Sequence, residues 1–218
     1  DLEGKLKASP HVGGTNQHKP KGFNFLDHGL KPIKIHIWLD WIFINFNGKA
    51  KKFEEYAKPL SKRFNDIDLT KLKYVATLDF GTINTNWKFL IENFIEPYHV
   101  QFVHKTTTNQ PLKDHYTFVD GKCYGSGIDV ENEDDKNDSA LSVTSRYLSL
   151  FPNFIIGTYF PNQVGVYLNV PISPSLTSQK RIIYSTDGKD MSKKEIQTTK
   201  DIWWSVHKED HEMCERLQ

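Results

Sequence analysis

From Arg146 to Thr186 the chain offers three strand candidates in succession, RYLSLFPNFIIGTYF, QVGVYLNV and QKRIIYST, and only then one long helix, SKKEIQTTKDIWWSVHKEDHEMCERLQ. Turns at Pro161-Asn162 and at Pro171 to Ser178 separate the strands. The helix opens on a Ser-x-x-Glu capping box at Ser192 and Glu195. Ile196, Ile202, Trp203, Val206, Met213 and Leu217 give it an apolar stripe of the kind that packs on a sheet. Upstream, PIKIHIWLDWIFINFNG reads as a β-hairpin turning near Leu39-Asp40, and KKFEEYAKPLSKRFND as a short charged helix interrupted by Pro59. LKYVATLDF continues as a strand, and HYTFVDGKCYGSGIDV as two strands around Asp120-Gly121. The sum is α+β, an antiparallel sheet with a few helices on one side. Residues 1–30 read mostly as loop, and ENEDDKNDS as a solvated acidic loop without the spacing or glycine of a calcium site.

At 218 residues the chain suits one large domain. Lys plus Arg number 28 against 27 for Asp plus Glu, so no basic stripe argues for a nucleic-acid partner. Cys123 and Cys214 form no CxxC pair, which excludes a cysteine-built metal site and suits a reducing, cytoplasmic address. No apolar run approaches the ~20 residues of a membrane span, so no membrane partner is expected. The chain opens at Asp1 without a methionine and stops at Gln218 inside a helical pattern, so a piece of a longer protein is the expectation.

The chemistry concentrates in NWKFLIENFIEPYHVQFVH, Asn86 to His104. Neutral imidazole is the commonest transition-metal ligand, and His99 and His104 are five residues apart. On an unbroken helix that spacing leaves them roughly 140° apart. They converge only where the helix ends or bulges, and Pro97 supplies a cause by disfavouring helical geometry at Glu96. The bland alternative is a pair of half-buried histidines at a helix terminus.

A third ligand is available on the last helix. Asp210 lies four residues beyond Val206 and three before Met213, hence on the apolar stripe, whereas Glu209 and Glu212 are expected to point more toward water. A carboxylate on an apolar face is costly unless paired or metal-bound. Two histidines and one aspartate would make the facial triad of non-haem ferrous oxygenases. Two other metal readings are weaker. Glu96-Pro97-Tyr98-His99 matches the Glu-x-x-His of di-iron bundles, but no second copy exists. His207 and His211 could grip zinc, though they read as a solvated surface pair.

Asn86 to His104 resembles the catalytic motif of Rieske non-haem iron oxygenases (aromatic-ring-hydroxylating alpha subunits). There an Asn-Trp-Lys opening leads through Glu-Asn to an acidic residue, then Tyr-His and a second histidine five on. HKEDHEMCERLQ similarly resembles the family's late helix, and DLEGKL with GLKPIKIHIWLDWIFINF resembles the passage from Rieske domain to catalytic domain. The resemblance implies that His99, His104 and Asp210 bind mononuclear Fe(2+). It implies that Glu96 is the acidic bridge to a neighbouring subunit's cluster in a homotrimer, and that Asn93 sits near the iron without ligating it.

It further implies a helix-grip fold (START/Bet v1-like), a curved antiparallel sheet on a long carboxyl-terminal helix. Phe89, Leu90, Phe102, Phe154, Tyr159 and Tyr167 are candidates for its apolar pocket. The implied activity is hydroxylation of an organic substrate, aromatic or quaternary-amine, by dioxygen, with electrons from a reductase or ferredoxin. The paired Cys-x-His and Cys-x-x-His loops of a Rieske [2Fe-2S] cluster are absent here. Residues 1–48 are therefore expected to be a remnant of the connection with its hairpin, and 49–218 a catalytic domain truncated at its end and inactive alone. The contrasting expectation is a helix-grip carrier that binds a small molecule and does no chemistry.

Overall fold

The computed structural model describes residues 1–105, 107, 110, 112–129, 144–159 and 162–218. It divides into two units, Asp1–Phe53 and Glu54–Gln218. In the first, residues before Pro32 are irregular except for a 3-10 turn at Phe25–His28. Strands β1 (Lys34–Trp38) and β2 (Trp41–Asn45) follow as an antiparallel hairpin, with Leu39 at the turn in the left-handed region (φ 54°). Alternation sends Ile35, Ile37, Ile42 and Ile44 to one exposed face.

The second unit is a seven-stranded sheet in which every pairing is antiparallel. Helix α1 (Phe53–Lys62) precedes it and runs through Pro59, where an interruption was expected. The ring removes one helical hydrogen bond, and the burial of Ala57 and Leu60 on either side holds the helix together. β3 (Lys73–Ile83) then leads into α2 (Trp87–Ile95) and the single turn α3 (Val100–Val103). β4 (Tyr116–Asp120) and β5 (Cys123–Ile128) form the expected hairpin, with Gly121 at φ 60°. The acidic run at residues 131–139 lies outside the described residues.

The first of the three later strand candidates is two strands, β6 (Ser145–Leu150) and β7 (Phe154–Thr158), folded back at Phe151-Pro152-Asn153. Proline in the middle of an apolar run marks that turn. β8 (Gln163–Ser173) and β9 (Leu176–Ser185) are longer than expected, because Pro171 still pairs with Thr177 and the turn falls at Pro174-Ser175. Of the turn expected at Pro161-Asn162, Pro161 lies outside the described residues and Asn162 has φ 60°.

Strand order β3-β9-β8-β7-β6-β5-β4 makes β4 to β9 a meander, with β3 joined beside β9. The link from β3 to β4 must therefore pass from one edge to the other, and α2 and α3 lie on that link. α2 contacts β5, β6 and β8, while the long α4 (Lys193–Leu217), opened by the expected capping box at Ser192, contacts β3, α2 and α3. Two apolar clusters fix the layers. Leu78, Tyr159, Ile183, Trp203 and Val206 join the sheet to α4, and Ile91, Ile155 and Tyr167 join it to α2.

The buried face of α4 differs from the expected stripe. Thr199, Trp203, Val206, His207 and Cys214 are buried, while Ile202 and Leu217 are exposed. Neighbours on two sides widen the buried arc beyond the residues an apolar count would choose. Across the inner face of the sheet, register sets Ser126, Tyr147, Gly157, Gly165 and Ile183 in one row, and Ile155, Tyr167 and Arg181 in the next. The two glycines hollow the sheet. A Cβ on Gly157 would stand 2.8 Å from the Tyr159 hydroxyl, and one on Gly165 would stand 2.5 Å from the Arg181 guanidinium.

Candidate metal centre

Asn86 caps α2, its side chain accepting from Lys88 N, and the helix runs to Ile95. Pro97 ends it, leaving Glu96 extended at φ −98°, ψ 137°. His99 and His104 are then the two caps of α3, and their ring centroids lie 5.2 Å apart. The break needed to bring them together falls before His99 and at His104, where ψ is 42°.

Both Nε2 atoms converge on Asp210. Oδ1 of Asp210 is 3.0 Å from Nε2 of His104 and 3.6 Å from Nε2 of His99. Donor atoms from the three residues all lie within 4.8 Å of one another, the only such group among the described residues. The opposite nitrogens are held by carboxylates: His99 Nδ1 is 2.5 Å from Glu96 Oε1, and His104 Nδ1 is 2.8 Å from Glu209 Oε2. Glu96 Oε2 also accepts from the backbone N–H of Tyr98 and of His99, and Glu209 Oε2 accepts from the Thr107 hydroxyl at 2.7 Å. Carboxylate-held imidazoles of this kind present a fixed nitrogen to a metal.

Asn93 donates from Nδ2 to Asp210 Oδ1 at 2.9 Å, and its own buried Oδ1 has no partner. Burial opposes the charge on Asp210, but the hydrogen bond and charge of His104, with His207 and His99, outweigh it and hold the carboxyl at about 2. Burial likewise opposes charge on His104, and Asp210 with Glu209 outweighs it and raises its pKa. A buried, anionic group of two imidazoles and a carboxylate, with an orphaned oxygen beside it, fits a divalent transition metal.

Glu209 corrects the sequence reading, which sent it toward water; it faces α3 and holds His104. His207 corrects it too. It is buried rather than solvated, its Nε2 accepting from the Tyr167 hydroxyl at 3.1 Å and from Arg181 Nη1 at 3.4 Å. Its Nδ1 then carries the proton, 3.9 Å from Asp210 Oδ2. The zinc pairing with His211 is therefore not formed; His211 Nε2 instead meets Gln179 Oε1 at 2.7 Å.

The cavity over the three donors is lined by Phe94, Val100, Tyr147, Tyr159, Tyr167, Trp203 and Val206, with polar contributions from Asn93, Thr107, Gln110 and Ser126. Tyr159 and Tyr167 stand where expected. Phe89, Leu90, Phe102 and Phe154 do not line it: Phe102 is exposed, and Leu90 packs with Ile83 and Cys214. No helix among the described residues is long and apolar enough to cross a membrane.

Residues 53–218 match the profile of the family described as ring hydroxylating alpha subunit (catalytic domain). The chain is 30% identical over 114 residues to the large oxygenase component of salicylate 5-hydroxylase from Ralstonia sp, covering 47% of this chain and 26% of the relative. It is 23% identical over 192 residues to chloroplastic choline monooxygenase from Arabidopsis thaliana, covering 79% and 43%. Its fold is similar to that of the quaternary ammonium Rieske monooxygenase CntA in complex with L-carnitine, with TM-score 0.72, 18% identity, and coverage of 100% of this chain and 57% of that one. It is also similar to naphthalene 1,2-dioxygenase from Rhodococcus sp. bound to indole, with TM-score 0.62, 14% identity and coverage of 89% and 56%. The chain thus spans less than half the length of both curated relatives.

Proposed function

Because the chain belongs to the ring-hydroxylating alpha-subunit family, we propose that it is the catalytic part of a Rieske-type oxygenase whose mononuclear iron is held by His99, His104 and Asp210. The observation that carries this reading is the convergence of both Nε2 atoms on one aspartate oxygen while both Nδ1 atoms are held by glutamates. Ferrous iron bound there would supply dioxygen activation.

The chain's own residues do the rest. Glu96 orients His99, and with its side chain partly exposed it is placed to serve as the acidic bridge toward a neighbouring subunit in a homotrimer. Glu209 and Thr107 orient His104. Asn93 holds one oxygen of Asp210 and keeps an acceptor free beside the donors. The aromatic wall excludes water from the reacting end of the substrate. In this reading residues 1–48 are the passage from a cluster-bearing region, residues 49–218 form a helix-grip catalytic domain, and the protein works in the cytoplasm.

Turnover requires electrons from a reductase or ferredoxin through a Rieske cluster whose ligands are not among these residues, so the 218-residue chain is expected to hold iron without turning over. The substrate is a small organic molecule, aromatic or quaternary-amine, the two kinds named in the curated relatives. The test is elemental analysis after anaerobic ferrous loading. About one iron per chain in the wild type, absent from His104→Ala, supports the assignment. Equal iron in both overturns it.

A further inference from the structure

Three consecutive residues before α2 bond to the end of α4, 129 to 132 residues away in the chain. Asn84 donates from its backbone N–H and from Nδ2 to Oε1 of Glu215, at 2.9 and 3.2 Å. The Thr85 hydroxyl donates to the Cys214 carbonyl at 3.1 Å, and the Asn86 N–H donates to Oε1 of Gln218 at 2.7 Å. The last carbonyls of a helix have no partner within it, so Thr85 satisfies one that the end of α4 would otherwise leave bare. The corner is itself anchored to the β8-β9 hairpin. Thr177 Oγ1 donates to the Thr85 carbonyl at 2.8 Å, and Asn86 Nδ2 donates to the Pro174 carbonyl at 2.6 Å. Thr85, Thr177 and Cys214 are fully buried.

α2 and α4 run antiparallel: the start of α2 meets the end of α4, while Asn93, further along α2, meets Asp210, earlier on α4. The pair is thus pinned at two places, and between them Leu90 packs with Cys214 and Ile83. Asn86 and Asn93 stand two turns apart on α2, which separates the pins by roughly 10 Å. A single pin leaves a helix free to swing about it, and a second at that distance sets the angle. That angle matters because α2 leads through Pro97 into His99 and His104, while α4 carries Asp210 and Glu209. Donor distances in a metal site tolerate only about 0.2 Å. A small swing of α2 would therefore open the 3.0 and 3.6 Å spacings that bring the two histidines to Asp210.

We propose that the last turn of α4 is a positioning element of the metal centre: Glu215 and Gln218, by holding Asn84 and Asn86, fix the angle at which the histidine-bearing segment faces Asp210. Both residues act through α2 and not by ligation. The proposal rests on the functional reading above for the identity of the metal, whereas the helix angle is a property of the metal-free chain.

The test uses the 218-residue chain with Glu215→Ala and Gln218→Ala combined, checked for folding by circular dichroism. Beside it stands Glu215→Gln, which keeps an acceptor oxygen for Asn84. Spin labels at the exposed sites Gln101→Cys and Lys208→Cys, with Cys123 and Cys214 buried, report the spacing of the two segments without metal. Pulsed dipolar spectroscopy is expected to give a narrow distance distribution in the parent and in Glu215→Gln, and a broader one in the double variant. Anaerobic cobalt(II) titration is expected to show at least about tenfold weaker binding and an altered visible absorption band in the double variant, with most of the affinity recovered in Glu215→Gln. If the double variant does not fold, Thr85→Val, which removes one hydroxyl and keeps the side chain's shape, is read in the same two ways. The proposal is overturned if the folded clasp variant keeps the parent's distance distribution, or if it binds cobalt(II) with the parent's affinity and spectrum. A parent that takes up no metal while the distribution still broadens in the variant would overturn the functional reading and leave the positioning intact.

Discussion

Nε2 of His104 lies 3.0 Å from Oδ1 of Asp210, and Nδ1 of the same ring lies 2.8 Å from Oε2 of Glu209, so consecutive residues of α4 grip both nitrogens of one imidazole. Helical geometry turns neighbouring side chains about 100° apart, and the His104 ring sits in the angle between them. One residue offers a ligand beside the histidine; the other sets the histidine's orientation.

Replacing Glu209 with glutamine should therefore weaken the metal without unfolding the chain. A carboxylate holding a ligating imidazole is commonly worth 10–100-fold in metal affinity, and a loss of about that size is expected. Thr107→Val, which removes only the hydroxyl donating to Glu209, should lose less. Competition with a calibrated chelator measures both. Unchanged affinity in Glu209→Gln would mean that the His104 contact does not orient the ligand.

His99→Ala and Asp210→Ala should each lose iron outright, since either leaves only two donors. Asp210→Ala also strands the Asn93 amide and the facing nitrogens of both histidines, so its melting temperature is expected to fall as well. Metal content and thermal melts on the same preparations separate the two effects. Full iron occupancy in either variant would contradict the ligand assignment.

Glu96→Gln keeps a hydrogen-bonding group beside His99 and removes a charge. If Glu96 is the proposed bridge, then in a form of the protein that carries a Rieske cluster this variant should keep its metal and slow electron delivery to it, read by single-turnover kinetics from the pre-reduced cluster. Loss of metal with an unaltered transfer rate would place Glu96 in iron retention instead.

His207 gives the metal-free protein a marked acid sensitivity. Burial, then the charge of Arg181, holds its pKa well below the usual range, so the folded state keeps it neutral where the unfolded chain takes up a proton. A lowered histidine contributes stability above its unfolded pKa of about 6.5 and loses it as the pH falls, at up to about 1.4 kcal/mol per unit. His211, also lowered by burial, acts in the same direction, while His104, raised, contributes below about 6.5 and loses that as the pH climbs. His207→Gln should reduce the slope of urea midpoint against pH between about 6.5 and 5 by close to one proton. An unaltered slope would show that His207 titrates normally.

Gly165→Ala places a methyl 2.5 Å from Arg181 Nη2, in the hollow where the guanidinium lies. Overpacking of this kind costs about 1–3 kcal/mol, and chemical denaturation should show that loss. A neutral result would mean that Arg181 has room to move.

Much of this arrangement can be read in the linear chain. The alternation of β1 and β2, the Asp120-Gly121 turn between β4 and β5, the capping box at Ser192 and the proline after Glu96 each act through near neighbours, and each appears where local chemistry puts it. Asp210 was nominated from its place on an apolar stripe and stands beside both histidines. Glu209 and His207 were missed for one reason: a stripe counted from apolar residues assumes that α4 meets a partner on one side. In the fold it meets β3 on one side and α2 and α3 on another, so polar residues off the stripe are also enclosed. Arg181 was equally hidden. Nothing in QKRIIYST says that the residue across the strand pair is Tyr167 or that Gly165 leaves space for a guanidinium.

The edge-to-edge link that carries α2 and α3 has a temporal side. During synthesis the turn bearing both histidines leaves the ribosome more than a hundred residues before the Glu209-Asp210 pair of α4 exists. No nascent chain that stops short of Asp210 holds the complete donor set, so the three donors can meet only after every strand of the sheet has been synthesised.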